Sequence, residues 1–318
     1  MEFQIEKKRR KRIKLIFNPR SGKNKESPAQ LMEVIKELQD WKLIAEPFLI
    51  EPDCDLIKVV NDSIEQGIHT FVVCGGDGTV SSVAKAMVGT NAALGIIPTG
   101  TRNNVARSIG IPLNIPAAIA ILRMGRRIKI DLGVSRCSNI ETPFIEICSV
   151  GLFSKLFSAS DDIQHGKITR IGDFLADFIT TPPSDIHLIL DNKEEIQNSG
   201  HVVLITNTPF VGANKKVSDL NSFHDGLLDV LLYSDLSKIN LIGNVLKESP
   251  ANDQDDPRIQ RFRVQSVSIH TNPSMPVMVD SVAIGEGSVR VSVLKRALTV
   301  IVPPFTARSG DIVEQENK

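Results

Sequence analysis

The stretch Thr70-Phe-Val-Val-Cys-Gly-Gly-Asp-Gly-Thr79 decides the fold that we predict for this chain. Its first half, Thr70–Cys74, is a short apolar run of the kind that forms a buried strand. The glycine-rich half is followed by a helical pattern from Val80 to about Val88. A strand, a glycine turn and a helix in this order predict one repeat of a parallel sheet.

The same alternation of strand and helix signals extends over the first 130 residues. Strands are predicted at Ile13–Phe17, Leu43–Ile50, Thr70–Cys74 and Ala92–Ile97. Helical patterns cover Ala29–Asp40, Asp55–Gly67, Val80–Val88, Arg102–Gly110 and Ile115–Met124. This alternation predicts an α/β domain with a mostly parallel sheet and helices on both of its faces.

After residue 130 the pattern changes to short strand-like runs separated by turns. These runs are Phe144–Val150, Ile186–Leu190, His201–Ile205, Leu228–Leu232, Val264–His270, Val277–Val279, Val289–Val293 and Leu298–Val302. Helical stripes interrupt them at Ile171–Thr180 and Lys238–Leu246. We therefore predict a nucleotide-binding α/β domain over 1–130, a β-rich sandwich domain with short helical insertions over 131–304, and a tail over 305–318 that could pack back on the first domain.

Composition excludes several classes of protein. The 318 residues include 37 Lys and Arg against 37 Asp and Glu, and a nucleic-acid binder would need a basic excess. No apolar run approaches the ~20 residues that span a bilayer. The four cysteines have no metal-ligand or disulfide spacing, so we expect free thiols in a reducing cytoplasm.

A basic run, Lys7–Arg12, precedes the first strand and has two readings. It is a solvated arm, or it attracts anionic lipid, which contributes about 1 kcal/mol per basic residue near a charged surface. The second reading matters only for a protein that acts on lipid.

Three unusual loops follow strands of the predicted parallel sheet, and ligands bind beyond the carboxyl ends of such strands. Glycines let a phosphate approach the backbone, and the N–H groups of a following helix point at the anion. Neither glycine-rich loop matches a Walker A loop, and Ser81 stands where Gly-x-Gly-x-x-Gly needs its third glycine. We expect a nucleotide site formed by Asn18, Gly22, Gly75, Gly76, Asp77, Gly78, Thr79, Gly100, Thr101 and Asn103.

The loops resemble those of the diacylglycerol kinase catalytic domain family, which includes bacterial soluble lipid kinases, diacylglycerol kinases and sphingosine kinases. The segments that carry the resemblance are Asn18-Pro19-x-x-Gly22, Gly75-Gly76-Asp77-Gly78-Thr79, Pro98-Thr99-Gly100-Thr101-Arg102-Asn103-x-x-Ala106 and Gly110-Ile111-Pro112. His224–Asp229 and Ala297–Pro303 resemble strands of the family's second domain. The Gly-Gly-Asp-Gly-Thr signature is shared with NAD kinases, whereas the Pro98 segment favours the lipid branch.

The resemblance implies a nucleotide domain and a β-sandwich domain with a cleft between them. It also implies that ATP lies along the glycine loops, that Mg²⁺ helps to place the γ-phosphate, and that a lipid hydroxyl attacks this phosphate. Asp77 would contact Mg²⁺, or it is a turn residue that hydrogen-bonds its own backbone. Asp225, with the carbonyls of Ser222 and Leu227, would hold a structural Mg²⁺, or it belongs to an ordinary Asp-Gly turn.

The chain departs from the family pattern at functional places. The family has a late Asp-Gly-Glu whose glutamate is thought to be the general base, and here Asp280-Ser281-Val282 stands in its place. Glu286 could substitute only through a rearranged loop, so Asp280 and Glu286 are the catalytic candidates. Further departures are Ile50, Ser82 and Phe153.

Two classes of function follow, with a weaker third. The chain is an ATP-dependent lipid kinase of the diacylglycerol type, or a catalytically impaired nucleotide- or lipid-binding member of the family. NAD kinase-like activity is the weaker alternative. We expect ATP and a lipid substrate at a membrane surface as partners, a cytoplasmic location that extends to the inner membrane surface, and no nucleic acid. A homodimer is one option for assembly.

Overall fold

A computed structural model describes residues 10–21, 27–152, 182–211, 215–216, 223–234 and 259–304. The chain divides into two compact units, residues 1–129 with 298–318, and residues 130–297. The predicted helices Ile171–Thr180 and Lys238–Leu246 lie outside the described residues. Within the described part, no helix has the length and apolar composition needed to cross a bilayer.

The first unit is the predicted α/β fold. Its strands are β1 (Lys11–Phe17), β2 (Leu43–Leu49), β3 (Thr70–Gly75) and β4 (Ala93–Pro98), and they pair in parallel in the order β2-β1-β3-β4. Its helices are α1 (Ser27–Asp40), α2 (Leu56–Glu65), α3 (Asp77–Met87), α4 (Asn104–Ser108) and α5 (Ile115–Met124). The prediction of a parallel sheet with interleaved helices is confirmed.

Alternating side chains of β1 build the core of this unit. Ile13, Leu15 and Phe17 are buried on one face of the strand, where they join residues of α1 and α5 in one apolar cluster. All six residues of β3 are buried, as expected for a central strand covered on both faces. Because β3 is held from both sides, its carboxyl end is a rigid platform for the glycine loop that follows.

The second unit consists of antiparallel strands. They are β5 (Arg126–Cys137), β6 (Ile140–Phe144), β7 (Ile147–Gly151), β8 (Ser184–Leu190), β9 (Glu194–Thr206), β10 (Phe210–Val211), β11 (Lys215–Lys216), β12 (Leu228–Ser234), β13 (Ile259–Val264), β14 (Ser266–Asn272), β15 (Pro276–Val279), β16 (Val282–Glu286) and the first part of β17 (Val289–Val302). The order of neighbours is β16-β15-β7-β9-β8-β14-β17, and β12 joins β9 to β13. This bears out the predicted β-rich domain.

The last strand differs from its prediction. The sequence indicates two runs, but one strand, β17, continues through Lys295 and Arg296. Arg296 has a left-handed backbone with φ of 53°, and its N–H donates to the Asp131 carboxylate at 2.7 Å, a partner that the local sequence does not reveal. Its first part pairs with β14, whereas Thr299 and Val300 pair in parallel with Ala93 and Leu94 of β4. The end of β17 therefore belongs to the sheet of the first unit, although the sequence placed it in a second domain that ends at residue 304.

The predicted strand Phe144–Val150 is divided in the structure. It bends after Phe144, which ends β6, and β7 begins at Ile147. The carboxylate of Asp280, which is distant in sequence, accepts hydrogen bonds from backbone N–H groups at this bend. The break therefore depends on tertiary structure. Strand β5 and the hairpin strand β16 are absent from the sequence prediction because their charged residues and glycines hide the alternation.

Candidate functional site

The three predicted loops start from aligned strand ends in the first unit. In the sheet, Phe17 of β1 pairs with Cys74 of β3, and Gly75 pairs with Pro98 of β4. The loops that follow these residues therefore leave the same edge of the sheet. This is the edge at which parallel α/β sheets bind ligands.

Two of the loops contact each other through their backbones at Gly76 and Gly100. A Cβ atom on Gly100 would lie 2.4 Å from the Cα atom of Gly76, and one on Gly76 would lie 3.1 Å from the Cα atom of Gly100. The Thr99 N–H also donates to the Gly75 carbonyl at 3.1 Å. Glycine is required at this contact because no side chain fits between the two loops.

Asn18 joins the first loop to helix α3. Its Nδ2 donates to the Thr79 hydroxyl at 2.8 Å, and its backbone N–H donates to the Cys74 carbonyl at 3.1 Å. Thr79 is buried, and a Cβ atom on Gly75 would lie 2.8 Å from the Thr79 Cβ atom. The Asn18 side chain thus fixes the start of α3 relative to the end of β1.

Asn103 closes the third loop. Its Nδ2 donates to the Gly100 carbonyl at 2.8 Å, and its Oδ1 accepts from the Gly100 N–H at 3.0 Å. The residue is buried and has a left-handed backbone with φ of 54°. Asparagine adopts this conformation more readily than most residues, so one residue type supplies both the turn and the clamp on Gly100.

Asp77 lies in the first turn of α3 and binds the start of α4. Its Oδ1 accepts from the Val105 N–H at 3.1 Å. Burial raises the pKa of Asp77, while hydrogen bonds from the backbone of Val105 and Asn104 and the charge of Arg102 act in the opposite direction. The carboxylate therefore joins two helix starts beside the glycine loops, and its predicted contact with Mg²⁺ stays a prediction.

The structure brings together seven of the ten residues predicted to bind nucleotide: Asn18, Gly75, Gly76, Asp77, Thr79, Gly100 and Asn103. Gly78 and Thr101 are exposed at the surface of the same loops. Gly22 lies outside the described residues. Gly76, the residue directly before α3, provides no side-chain cap, which leaves the first turn of this helix suited to an anion.

Asp225 makes other contacts than those expected of a metal ligand. Its Oδ1 accepts from the Leu227 N–H at 2.9 Å, and its Oδ2 forms an ion pair with the Arg263 guanidinium. Arg263 also lies 3.3 Å from Asp229. Ser222 lies outside the described residues, and the described part of the chain contains no cluster of three or more His, Cys, Asp or Glu residues suited to a metal. The predicted structural Mg²⁺ site stays a prediction.

Asp280, which the sequence predicts as a catalytic candidate, forms hydrogen bonds with the backbone of another segment. Its carboxylate accepts from the N–H groups of Ile145, Glu146 and Ile147, each at 3.0 Å, at the bend between β6 and β7. Asp280 and Ser281, with φ of 44° and 69°, form the turn between β15 and β16. A carboxylate held by three donors is well placed to fix this turn, and the predicted catalytic role of Asp280 stays a prediction.

Val282 and Glu286 lie at opposite ends of β16. Val282 is 56% exposed and pairs with Val279 beside the turn, whereas Glu286 pairs with Pro276. Four residues along a strand span about 13 Å. Glu286 is exposed and does not reach the position of Val282 in this hairpin.

Sequence reasoning missed the buried carboxylate of Asp131. It accepts from the Gly226 N–H at 2.8 Å and from the Arg296 N–H at 2.7 Å. Asn207 donates to the Asp131 carbonyl at 3.0 Å. The available signal was a charged residue between Ile130 and Leu132, because an aspartate inside an apolar strand must be paired.

Comparison with known proteins agrees with this architecture. Residues 12–135 match the diacylglycerol kinase catalytic domain, and residues 163–302 match the YegS C-terminal NAD kinase beta sandwich-like domain. A protein of Klebsiella pneumoniae named probable lipid kinase YegS-like is 26% identical over 295 residues, which cover 91% of this chain and 95% of that protein. A diacylglycerol kinase of Mycobacterium tuberculosis is 32% identical over 184 residues, 57% of this chain and 60% of that one.

Solved structures show the same fold. The crystal structure of a diacylglycerol kinase from Bacillus anthracis has a TM-score of 0.71 at 18% identity and covers 93% of this chain and 98% of its own. A second structure of a putative diacylglycerol kinase from this organism gives 0.72 at 21% identity. The two domain matches and the glycine loops at the strand ends lead to one conclusion: the chain belongs to the family that joins a diacylglycerol kinase catalytic domain to a YegS C-terminal NAD kinase beta sandwich-like domain.

Proposed function

We propose that this protein is an ATP-dependent lipid kinase that transfers the γ-phosphate of ATP to a hydroxyl group of a diacylglycerol-type lipid. The observation that carries the proposal is the backbone contact between Gly76 and Gly100 at the carboxyl edge of the parallel sheet. It leaves a surface without side chains next to the uncapped start of α3, which suits a chain of phosphates. Relatives named lipid kinases support the choice of substrate class.

The chain's own residues would bind and orient the phosphates. The first turn of α3 would supply N–H groups and the positive end of the helix dipole. Asn18 and Asn103 hold the surrounding loops through the hydrogen bonds described above, so the donors are in place before ATP binds. Phosphoryl transfer depends mainly on such positioning and on neutralisation of charge.

Mg²⁺ fits beside these loops through Asp77. A carboxylate beside phosphates is unfavourable unless a cation lies between them, and carboxylate oxygen is a preferred ligand of this ion. The metal would neutralise phosphate charge. Asp77 would hold it through its carboxylate, and the bound cation would offset the burial of that group.

The absence of a general base at position 282 predicts slow transfer of phosphate from ATP to the lipid. Val282 cannot accept a proton from a lipid hydroxyl, and loss of a general base lowers rates by ~10²–10⁴. Transfer of radiolabelled phosphate from ATP to diacylglycerol measures this directly. A rate in the ordinary kinase range of ~1–100 s⁻¹ for the unmodified protein would contradict our interpretation of Val282. Glu286 would then be the next candidate, and Glu286→Gln should abolish the activity.

The sharper test restores the family residues. Ser281→Gly together with Val282→Glu should raise the rate of phosphate transfer, because Ser281 already has the left-handed φ of 69° that glycine adopts freely. Val282→Gln with Ser281→Gly is the matched control, since it has the same size without a proton acceptor. Equal rates for the two double variants would reject the role of position 282.

The second candidate is a nucleotide-binding protein with impaired catalysis, which the exposed valine at position 282 favours. Calorimetric ATP binding without turnover on diacylglycerol, sphingoid bases or NAD would identify it. Turnover on NAD alone would identify the NAD kinase-like alternative. A lipid kinase also meets its substrate at a membrane, and we propose peripheral contact with anionic lipid to which the run Lys7–Arg12 contributes.

A further inference from the structure

The turn before β12 contains an aspartate whose two carboxylate oxygens both have partners within the second unit. Asp225 Oδ1 accepts from the Leu227 N–H at 2.9 Å, and Oδ2 forms an ion pair with Nη2 of Arg263. Both side chains of the ion pair are partly buried, with 24% of Asp225 and 34% of Arg263 exposed. Because partly buried pairs are screened less than pairs at the open surface, the guanidinium balances the charge of this carboxylate.

Strand pairing brings Arg263 to the turn. Arg263 lies directly opposite Asp229 in the antiparallel pair of β13 and β12, and its Nε atom lies 3.3 Å from Oδ1 of Asp229. One guanidinium therefore joins two carboxylates, that of Asp225 in the turn and that of Asp229 in the buried strand. Arginine suits this position because its planar group presents several donors in a fixed arrangement.

A lysine lies against the same turn. Gly226 has a left-handed backbone with φ of 71°, and a Cβ atom there would lie 2.7 Å from Cε and 3.1 Å from Nζ of Lys295. The Gly226 N–H donates to the buried carboxylate of Asp131 at 2.8 Å, which fixes the turn beside the lysine. The chain thus places two of its own cationic side chains, Arg263 and Lys295, at the turn that contains Asp225.

These contacts do not fit the Mg²⁺ that the family resemblance implies at Asp225. Mg²⁺ needs an octahedral shell of oxygen ligands, whereas the Asp225 oxygens face an N–H group and a guanidinium. A divalent cation beside Arg263 and Lys295 would also meet two like charges.

We propose that the guanidinium of Arg263 takes the place of a metal ion at this turn, so that the folding of the second unit needs no Mg²⁺. The inference goes beyond the proposed kinase function, because it concerns the stability of the second unit and holds with or without ATP. It also separates two roles of the metal: Mg²⁺ would act beside the phosphates and would not hold the β-rich unit together.

Hydrogen exchange at the amides of β12 and β13 tests the proposal on the full chain without nucleotide. The unmodified protein should exchange at the same rates in EDTA and in excess Mg²⁺. The same comparison in Asp77→Asn removes the candidate metal ligand at the glycine loops, and it should again show no response. Slower exchange in Mg²⁺ that persists in Asp77→Asn would mean that a metal ion stabilises the second unit, and it would overturn the proposal.

Arg263→Gln should create a dependence on divalent cations. In EDTA, exchange at β12 and β13 should become about tenfold faster, the loss expected for a charge-assisted hydrogen bond. Mg²⁺ or Ca²⁺ should restore part of the protection, because Asp225 and Asp229 could then share a metal ion in place of the guanidinium. Arg136→Gln is the matched control, since it breaks an ion pair with Glu141 in the same unit whose side chains are 64% and 55% exposed. It should change exchange by less than about threefold.

Three results with the Arg263 variant would overturn the proposal: exchange in EDTA that does not change, a change equal to that of the Arg136 control, or a loss of protection that neither Mg²⁺ nor Ca²⁺ reverses. The comparison of EDTA with Mg²⁺ in the unmodified protein stands even where this variant does not fold. Because no nucleotide or lipid is present, a failure here is distinguishable from a failure of the kinase assay.

Discussion

At the contact between Gly76 and Gly100, a hydrogen atom in place of a side chain decides how closely the two loops approach each other. A Cβ atom at position 100 would be 2.4 Å from the Gly76 backbone, whereas one at position 78 meets no atom within 4 Å. We expect Gly100→Ala to separate the two loops and to lower ATP affinity at least tenfold, about 1.4 kcal/mol. Gly78→Ala is the control and should bind ATP with much smaller loss. Calorimetry of folded variants measures both, and equal affinities would contradict the assignment of the site.

We expect the buried carboxylate of Asp77 to lower the free energy of unfolding at neutral pH. Because burial raises its pKa in the folded state, its stabilising contribution is complete below the ordinary aspartate pKa of ~3.9 and is lost as pH rises through the raised value. We expect Asp77→Asn to have the higher free energy of unfolding at about pH 7, with a smaller difference at about pH 4. Urea denaturation at several pH values measures this, with Asp40→Asn, an exposed aspartate, as control. A difference that does not vary with pH would contradict it.

At the scale of elements, the hairpin of β15 and β16 depends on one carboxylate. Asp280→Ala removes the acceptor of three backbone N–H groups at the bend between β6 and β7. Unpaired buried donors are expensive, so we expect a loss on the order of 3 kcal/mol in the free energy of unfolding. Glu286→Ala, in the same hairpin but exposed, should change it by less than about 0.5 kcal/mol. Similar losses for the two variants in urea would show that the hydrogen bonds at the bend contribute little.

Elements were predictable where one periodicity dominates. The sequence directly predicts the buried runs of β1, β3 and β4 and the apolar stripe of α5. It also predicts the glycine loops, since their residue types are those that the local backbone conformation requires. The roles of Asp131 and Asp280 could not be predicted, because their partners are backbone groups far away in sequence. The same holds for the bend at Ile145, whose N–H donates to the distant Asp280.

For the whole molecule, the end of β17 connects the stability of the first unit to the last part of the chain. Leu298 and Val300 are buried at 1% exposure, and Val300 pairs with Leu94 of β4. We expect Leu298→Ala to lower the free energy of unfolding by about 2–5 kcal/mol. Hydrogen exchange should show the loss at the amides of β3 and β4 as well. Leu294→Ala, at a more exposed position of the same strand, is the control, and unchanged exchange in β4 would contradict the expected coupling.

The late position of β17 also has a consequence for biosynthesis. Pro98 ends β4, and the residues of β17 that pair with β4 in parallel, Thr299 and Val300, follow about 200 residues later. At ~5–20 residues per second, a ribosome needs about 10–40 s to make that interval. Throughout it, the nascent chain has β1 to β4 but lacks the strand that covers the outer edge of β4. An uncovered strand edge attracts other strands, so the incomplete sheet of the first unit is open to incorrect strand pairing until the end of β17 has been made.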